Sequence, residues 1–341
     1  EYPLGGGIDV IFGGGRTGFL PSEAFDPEHS EQPGRRQDRV DLIRKWLDDG
    51  ADRAVQDGRR RFVSDRASFE ALGAGPGGNI MGLFEPSHMN YEHDRQDDPG
   101  GEPSLAEMTV KALEILQNRD SEGFVLMVEG ARIDHAHHAG NAYRALTDTI
   151  AFSDAIAATL ERIDLQQTLV IVTADHGHSL AFGGYPSRGN PILGLVRGSG
   201  PAGEPEALAR DLDGKPYTTL SYSNGPGFRA GSRPDYDRID PRDPDFRQEA
   251  AVGLSSATHS GEDVAVYATG PGADVLHGSI EQHLIFHAML QAQPALATEA
   301  ERIKSPDGLP NWAKLLDRYR RAGSLTGGQT MGEQRSSDPS R

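Results

Sequence analysis

The sequence predicts an α/β fold: a three-layer sandwich about a largely parallel central sheet, with a small insertion on its surface. Three observations predict it. Short apolar runs of strand length, at residues 8–12, 124–128, 169–172 and 264–267, alternate with stretches of helical periodicity. Clusters of His and carboxylate residues sit at the ends of three of those runs, where open α/β sheets gather their ligands. The 341 residues suffice for one large α/β domain or two medium ones.

The elements follow in order. Residues 8–12 form a β-branched run that stops at Gly13-Gly14-Gly15, a strand ending in a tight turn. These glycines lack the spacing of a dinucleotide fingerprint or a Walker motif. Leu42, Ile43, Trp46 and Leu47 repeat at helical spacing over residues 41–49. Residues 92–103, charged and rich in Gly and Pro, predict a loop. Ser104 and Glu107 then form a capping box ahead of Leu105, Met108, Leu113 and Leu116, which predicts a helix. A strand is predicted at 124–128, a long helix at 141–163 and a strand at 169–172. Residues 198–250 lose the long apolar runs and gain Gly, Pro, Asp and Arg, as expected of a surface insertion. The core pattern resumes with a strand at 264–267 and a helix at 280–290. The polar, Gly/Ser-rich tail at 322–341 predicts disorder. The expected division is a main domain of residues 1–197 and 251–295 carrying the 198–250 insertion.

Composition narrows the function. Lys and Arg number 34 against 51 Asp and Glu, a net charge of −17, which disfavours nucleic-acid binding. There is no cysteine, so a metal must be held by His, Asp and Glu. No apolar run reaches the roughly 18 to 20 residues of a membrane span.

Three clusters carry the chemistry. The first is Val128-Glu129-Gly130-Ala131-Arg132-Ile133-Asp134-His135-Ala136-His137-His138. Asp134 and His138, four apart, share one face of a helical turn and can bind one cation. The second, Asp175-His176-Gly177-His178, follows the 169–172 strand, and Gly177 lets the backbone turn so that adjacent side chains converge. The third, Thr258-His259-Ser260-Gly261-Glu262-Asp263, precedes the 264–267 strand. Each cluster alone reads equally as solvated or core polar residues; three at separate strand ends read as a metal site. His283 and His287 lie on a predicted helix and are read as structural.

These clusters, with the stretches AFGGYPSRGNPILG and THSGEDVAVYATGP, resemble the alkaline phosphatases. The GGGR and LFEP stretches bring the likeness nearer the animal-type and related bacterial branch than the enteric one. The resemblance runs in the family's order from about residue 8 to residue 290. It implies a phosphate-monoester hydrolase with two zinc ions and one magnesium, acting through a phosphoserine. Asp134, His138 and His259 match the ligands of the first zinc, which lowers the pKa of the hydrolytic water. Asp175 and His176 match the second zinc, which activates the serine, and Glu129 matches a magnesium ligand. His135 matches a catalytic position beside the phosphate. A peripheral calcium site is implied at Glu28, the Phe84 carbonyl, Glu85 and Glu102, the last standing where the family carries Asp before Pro-Ser-Leu. The family also implies export to the periplasm or cell exterior, a homodimer and a crown-like role for residues 198–250.

One departure matters. The family's Asp-Ser-Ala nucleophile motif lies upstream of GGGR and is missing, as are an early metal-bridging Asp, a hydroxyl ligand of magnesium and the phosphate-gripping Arg. Asp120-Ser121-Glu122 stands at the wrong place in the order. The chain therefore reads as the later portion of the enzyme, without signal peptide and with little activity alone. Alternatives are a related phosphodiesterase, phosphonate hydrolase or sulfatase, and a non-catalytic metal-binding fragment.

Overall fold

A computed structural model describes residues 7–51, 60–73, 75, 78–119, 123–236, 239–293 and 298. The predicted tail at 322–341 and the rejected Ser121 lie outside the described residues. In chain order the elements are β1 (Val10–Gly13), α1 (Leu42–Ala51), β2 (Arg61–Val63), α2 (Arg66–Glu70), β3 (Ile80–Leu83), α3 (Leu105–Gln117), α4 (Arg132–His138), α5 (Ala142–Leu160), β4 (Val170–Thr173), β5 (Gly177–His178) and β6 (Leu180–Phe182). There follow β7 (Arg197–Ser199), β8 (Pro205–Leu208), β9 (Leu220–Gly225), β10 (Ala250–Gly253), β11 (His259–Ser260), β12 (Val266–Thr269) and α6 (Leu284–Ala292). The chain divides into two compact units, residues 1–161 with 178–260, and residues 162–177 with 261–341. Residues 198–250, expected as a surface insertion on the main domain, fall in the first unit.

In the first unit, β1, β3 and β2 make a parallel sheet in the order β1-β3-β2. Strand β3 is central and buried along its whole length, so all four of its residues are apolar or Gly. Phe12, Phe69 and Phe84 meet at centroid distances of 5.4, 6.2 and 5.7 Å. Val63, Leu72, Ile80, Met108 and Ile115 complete this core. At the end of β1 the GGGR turn needs its glycines: a Cβ on Gly14 would sit 2.2 Å from the Ser87 carbonyl oxygen, and Gly15 has φ +87°. That close approach delivers Arg16 into the interior. Its guanidinium donates to Asp26 at 2.7 and 2.8 Å, to Glu28 at 2.8 Å and to the Leu83 carbonyl at 3.0 Å.

The predicted capping box closes α3. The Glu107 N–H donates to Ser104 Oγ at 3.2 Å, and the Ser104 N–H donates to Glu107 at 2.7 Å. The expected long helix is α5, capped by Asn141, whose Oδ1 accepts from the Arg144 N–H at 2.9 Å. Strand β9 lies between β10, parallel, and β6, antiparallel. In the second unit β4 and β12 pair antiparallel, and α6 packs with Val275, Leu276, Ile171 and Ala268.

Two expectations are corrected. First, residues 124–128 are not a strand. Residues 124–129 make no backbone hydrogen bond to any described residue, and Val125 and Met127 are exposed. They border a cavity of about 690 Å³ whose walls include Val10, Phe12, Leu126, Val128 and Glu129. A run rich in apolar and β-branched residues becomes a strand only where a neighbouring backbone completes its ladder. Second, among the described residues there is no single, largely parallel central sheet. The strands fall into five small sheets, only one of them wholly parallel with three strands.

The α3 cap generates a prediction. Burial opposes ionisation of Glu107, but the Arg66 guanidinium and the Ser104 backbone bond pull it down to about 2. A carboxylate depressed in the fold contributes stability that is present above its ordinary 4.5 and is lost as pH falls through about 2. Glu107 is 40% exposed, so solvent screening reduces the effect to about 1 kcal/mol. Glu107→Gln keeps the cap geometry and removes the charge. Urea denaturation should show it less stable by that amount at pH 7, with the difference shrinking below about pH 4; an unchanging difference would contradict this.

Candidate metal centre

Asp134 and His138 stand on α4, one turn apart, as their spacing requires. Two bonds between α4 and the loop before β11 bring in His259. The Ala257 N–H donates to the His138 carbonyl at 2.9 Å, and His138 Nδ1 meets the Ala257 carbonyl at 2.5 Å. The neighbouring Thr258 is pinned from β9: its N–H donates to Asn224 Oδ1 at 2.8 Å, and Asn224 Nδ2 donates to Thr258 Oγ1 at 2.9 Å. A carbonyl can only accept, so His138 Nδ1 carries the proton and its Nε2 presents a lone pair.

Three side chains converge as a result. His138 Nε2 lies 3.4 Å from Asp134 Oδ2, His259 Nε2 lies 3.2 Å from Asp134 Oδ1, and the two imidazole nitrogens are 3.1 Å apart. For zinc bonds of about 2.0–2.1 Å, the edge of a tetrahedron is about 3.3 Å. The separations among the three side chains, one imidazole against each Asp134 oxygen, are therefore close to the edge of a zinc tetrahedron. Burial opposes the charge on Asp134, yet the His178 hydrogen bond and the surrounding imidazoles hold its carboxyl below the usual range.

Sequence reasoning missed His178 and His137. His178 Nε2 lies 2.6 Å from Asp134 Oδ1, and the ligand atoms of Asp134, His178 and His259 fall within 4.8 Å of one another. Burial lowers the His178 pKa, against the pull of Asp134. Burial also lowers His137, to about 4, so it stays neutral. The second histidine of Asp175-His176-Gly177-His178 was the available signal for His178.

The other expected residues fall as follows. Asp175 and His176 belong to the second unit, just beyond β4, with His176 Nε2 3.2 Å from Asp175 Oδ2. Glu129 lies on the unpaired 124–129 segment beside the cavity. His135 meets Arg132 Nη1 at 2.9 Å through its Nδ1 and packs against His88 with centroids 4.3 Å apart. Burial, then His88 and Arg132, lower its pKa.

The calcium-implied residues are interior rather than solvated. Glu102 and Phe84 are 1% exposed and Glu85 is 7% exposed. Burial raises Glu85 to about 8, reinforced by Asp98, Glu102 and Glu28, and burial raises Glu102 to about 7. The Asn90 N–H donates to Glu102 at 2.9 Å, and Asn90 Nδ2 donates to Glu85 at 3.3 Å. Asp98 and His29, unforeseen from sequence, join Glu28 in a group with ligand atoms within 4.8 Å. Glu28 Oε1 and Asp98 Oδ2 are buried without a hydrogen-bond partner among the described residues.

A family model described as alkaline phosphatase matches residues 1–294. The chain belongs to the alkaline phosphatase family. It is 39% identical over 290 residues to an alkaline phosphatase of Gadus morhua, covering 84% of this chain and 57% of that protein. It is 40% identical to a tissue-nonspecific alkaline phosphatase of Gallus gallus, covering 84% of this chain and 53% of that one. The chain thus spans about half the length of the curated relatives it matches. The solved alkaline phosphatase of the Antarctic bacterium TAB5 matches at 20% identity with a TM-score of 0.49, covering 84% of this chain and 60% of that one. Among the described residues, no helix is long and apolar enough to cross a membrane.

The acidic cluster generates a prediction for this alkaline phosphatase homologue. Its folded carboxyls at about 7 and about 8 hold protons more tightly than an unfolded carboxyl near 4.5. Stability should therefore be fully present below about pH 4.5 on this account and decline as pH rises through 7 to 8. In chelator, the urea midpoint should fall between pH 5 and 8, and excess calcium should remove the fall. A flat profile in chelator would contradict this.

Proposed function

We propose that this chain carries the metal-binding portion of a phosphate-monoester hydrolase. The observation that supports it most is the Asp134–His138–His259 triangle, with edges of 3.1–3.4 Å. Asp134, His138 and His259 would hold the first zinc. Asp175 and His176 would contribute to the second and Glu129 to a magnesium. The metals would supply charge stabilisation to phosphate oxygens and a lowered pKa for water. The attacking serine, which would form a phosphoserine, is assigned to polypeptide upstream of residue 1.

The chain's own residues have definable tasks. His138 Nε2 presents its lone pair because Nδ1 donates to Ala257. His135, whose pKa is lowered by burial, His88 and Arg132, would bond a phosphate oxygen beside the centre. Glu28, Glu85 and Glu102 with the Phe84 carbonyl would hold calcium, and Asp98 joins them as a fifth group. The crown-like role of residues 198–250, a homodimer and export belong to the same reading of the intact protein.

Zinc binding to the purified chain tests this. Chelator competition should show tight zinc binding that His259→Ala and Asp134→Ala each weaken at least about 10-fold. On this reading, hydrolysis of p-nitrophenyl phosphate by the chain alone should fall orders of magnitude below that of a full-length alkaline phosphatase, since no Asp-Ser-Ala-type serine stands before GGGR in this sequence. Zinc affinity unaffected by both substitutions would overturn the assignment.

A further inference from the structure

Beside Asp134, three further rings form a row. Tyr222 is 2% exposed and sits mid-sheet on β9, paired with Leu180 of β6 on one side and Ala250 of β10 on the other. Its N–H donates to the Glu249 carbonyl at 2.8 Å, so its backbone is fixed on both flanks. Its hydroxyl meets His137 Nδ1 at 2.9 Å. The His137 ring stacks on the His178 ring, centroids 4.9 Å apart and planes inclined by 25°. His178 Nε2 then meets Asp134 Oδ1 at 2.6 Å.

We propose that Tyr222 and His137 are positioning residues: through the stacked His178 ring they fix the rotamer of Asp134, and so the geometry of the metal triangle. The inference rests on the zinc reading above. A carboxylate with two free torsions can turn its oxygens away from the imidazoles. A hydrogen bond from His178 opposes that only if the His178 ring is itself held. The face of that ring leans on His137, and His137 is tethered to the central strand of a three-stranded sheet. Partners of this kind, one shell beyond the ligands, commonly change metal affinity 10- to 100-fold.

Tyr222→Phe removes one hydroxyl and leaves the packing. In the full chain it should weaken zinc binding about 10-fold by chelator competition. In a His178→Ala background the same change should have no further effect, since the influence passes through that ring. A merely structural role would give the same loss in both backgrounds. Independently of zinc, nitrogen-15 NMR of the metal-free chain should show a slowly exchanging His178 Nε2 proton, lost in Tyr222→Phe. Unchanged zinc affinity and an unchanged His178 signal in Tyr222→Phe, or equal losses in both backgrounds, would overturn the proposal. Failure of the wild-type chain to bind zinc would instead strike the zinc reading, and the His178 signal would still decide the positioning role.

Discussion

The pair of bonds between His138 and Ala257 is the constraint on which the centre depends. One runs backbone to backbone and the other from the imidazole to the same residue's carbonyl. Together they dock the loop carrying His259 onto α4 across 119 residues of sequence, and the imidazole bond fixes the tautomer that frees Nε2. Without the docking, Asp134 and His138 would remain an ordinary helical pair. With it, two imidazole nitrogens and a carboxylate approach within 3.1–3.4 Å of one another.

The same logic runs through the acidic cluster. Glu85 and Glu102 are buried beside Asp98 and Glu28, and their raised pKa values show how strongly they resist sharing an interior as anions. Arg16 offsets part of that charge through Asp26 and Glu28. The net −17 of the chain is therefore not only a solvated surface; Asp26, Glu85 and Glu102 are buried.

Much of this was legible in the sequence wherever the determinant was local. The Ser104–Glu107 box and the Asn141-capped helix are set by neighbours within a few residues, and the strands at 170–173 and 266–269 carry apolar runs of strand length. Asp134 and His138 are one turn apart, and their pairing follows from helical geometry. The family resemblance supplied His259. What sequence could not reveal depends on distant partners. Residues 124–128 have the composition of a strand and lack the neighbour that would make them one. Tyr222 lies 85 positions from His137 and is an unremarkable strand tyrosine until the fold brings its hydroxyl there. Asp98 hides in a charged loop whose composition reads as solvated.

The zinc coordination shell tests the account most directly. X-ray absorption on the zinc-loaded chain should show two imidazole nitrogens and a carboxylate oxygen in the first shell at about 2.0–2.1 Å. His259→Ala should remove one imidazole from that shell. A shell of water and carboxylate oxygens without imidazole, or one indifferent to His259, would contradict the assignment of Asp134, His138 and His259 as a single metal centre.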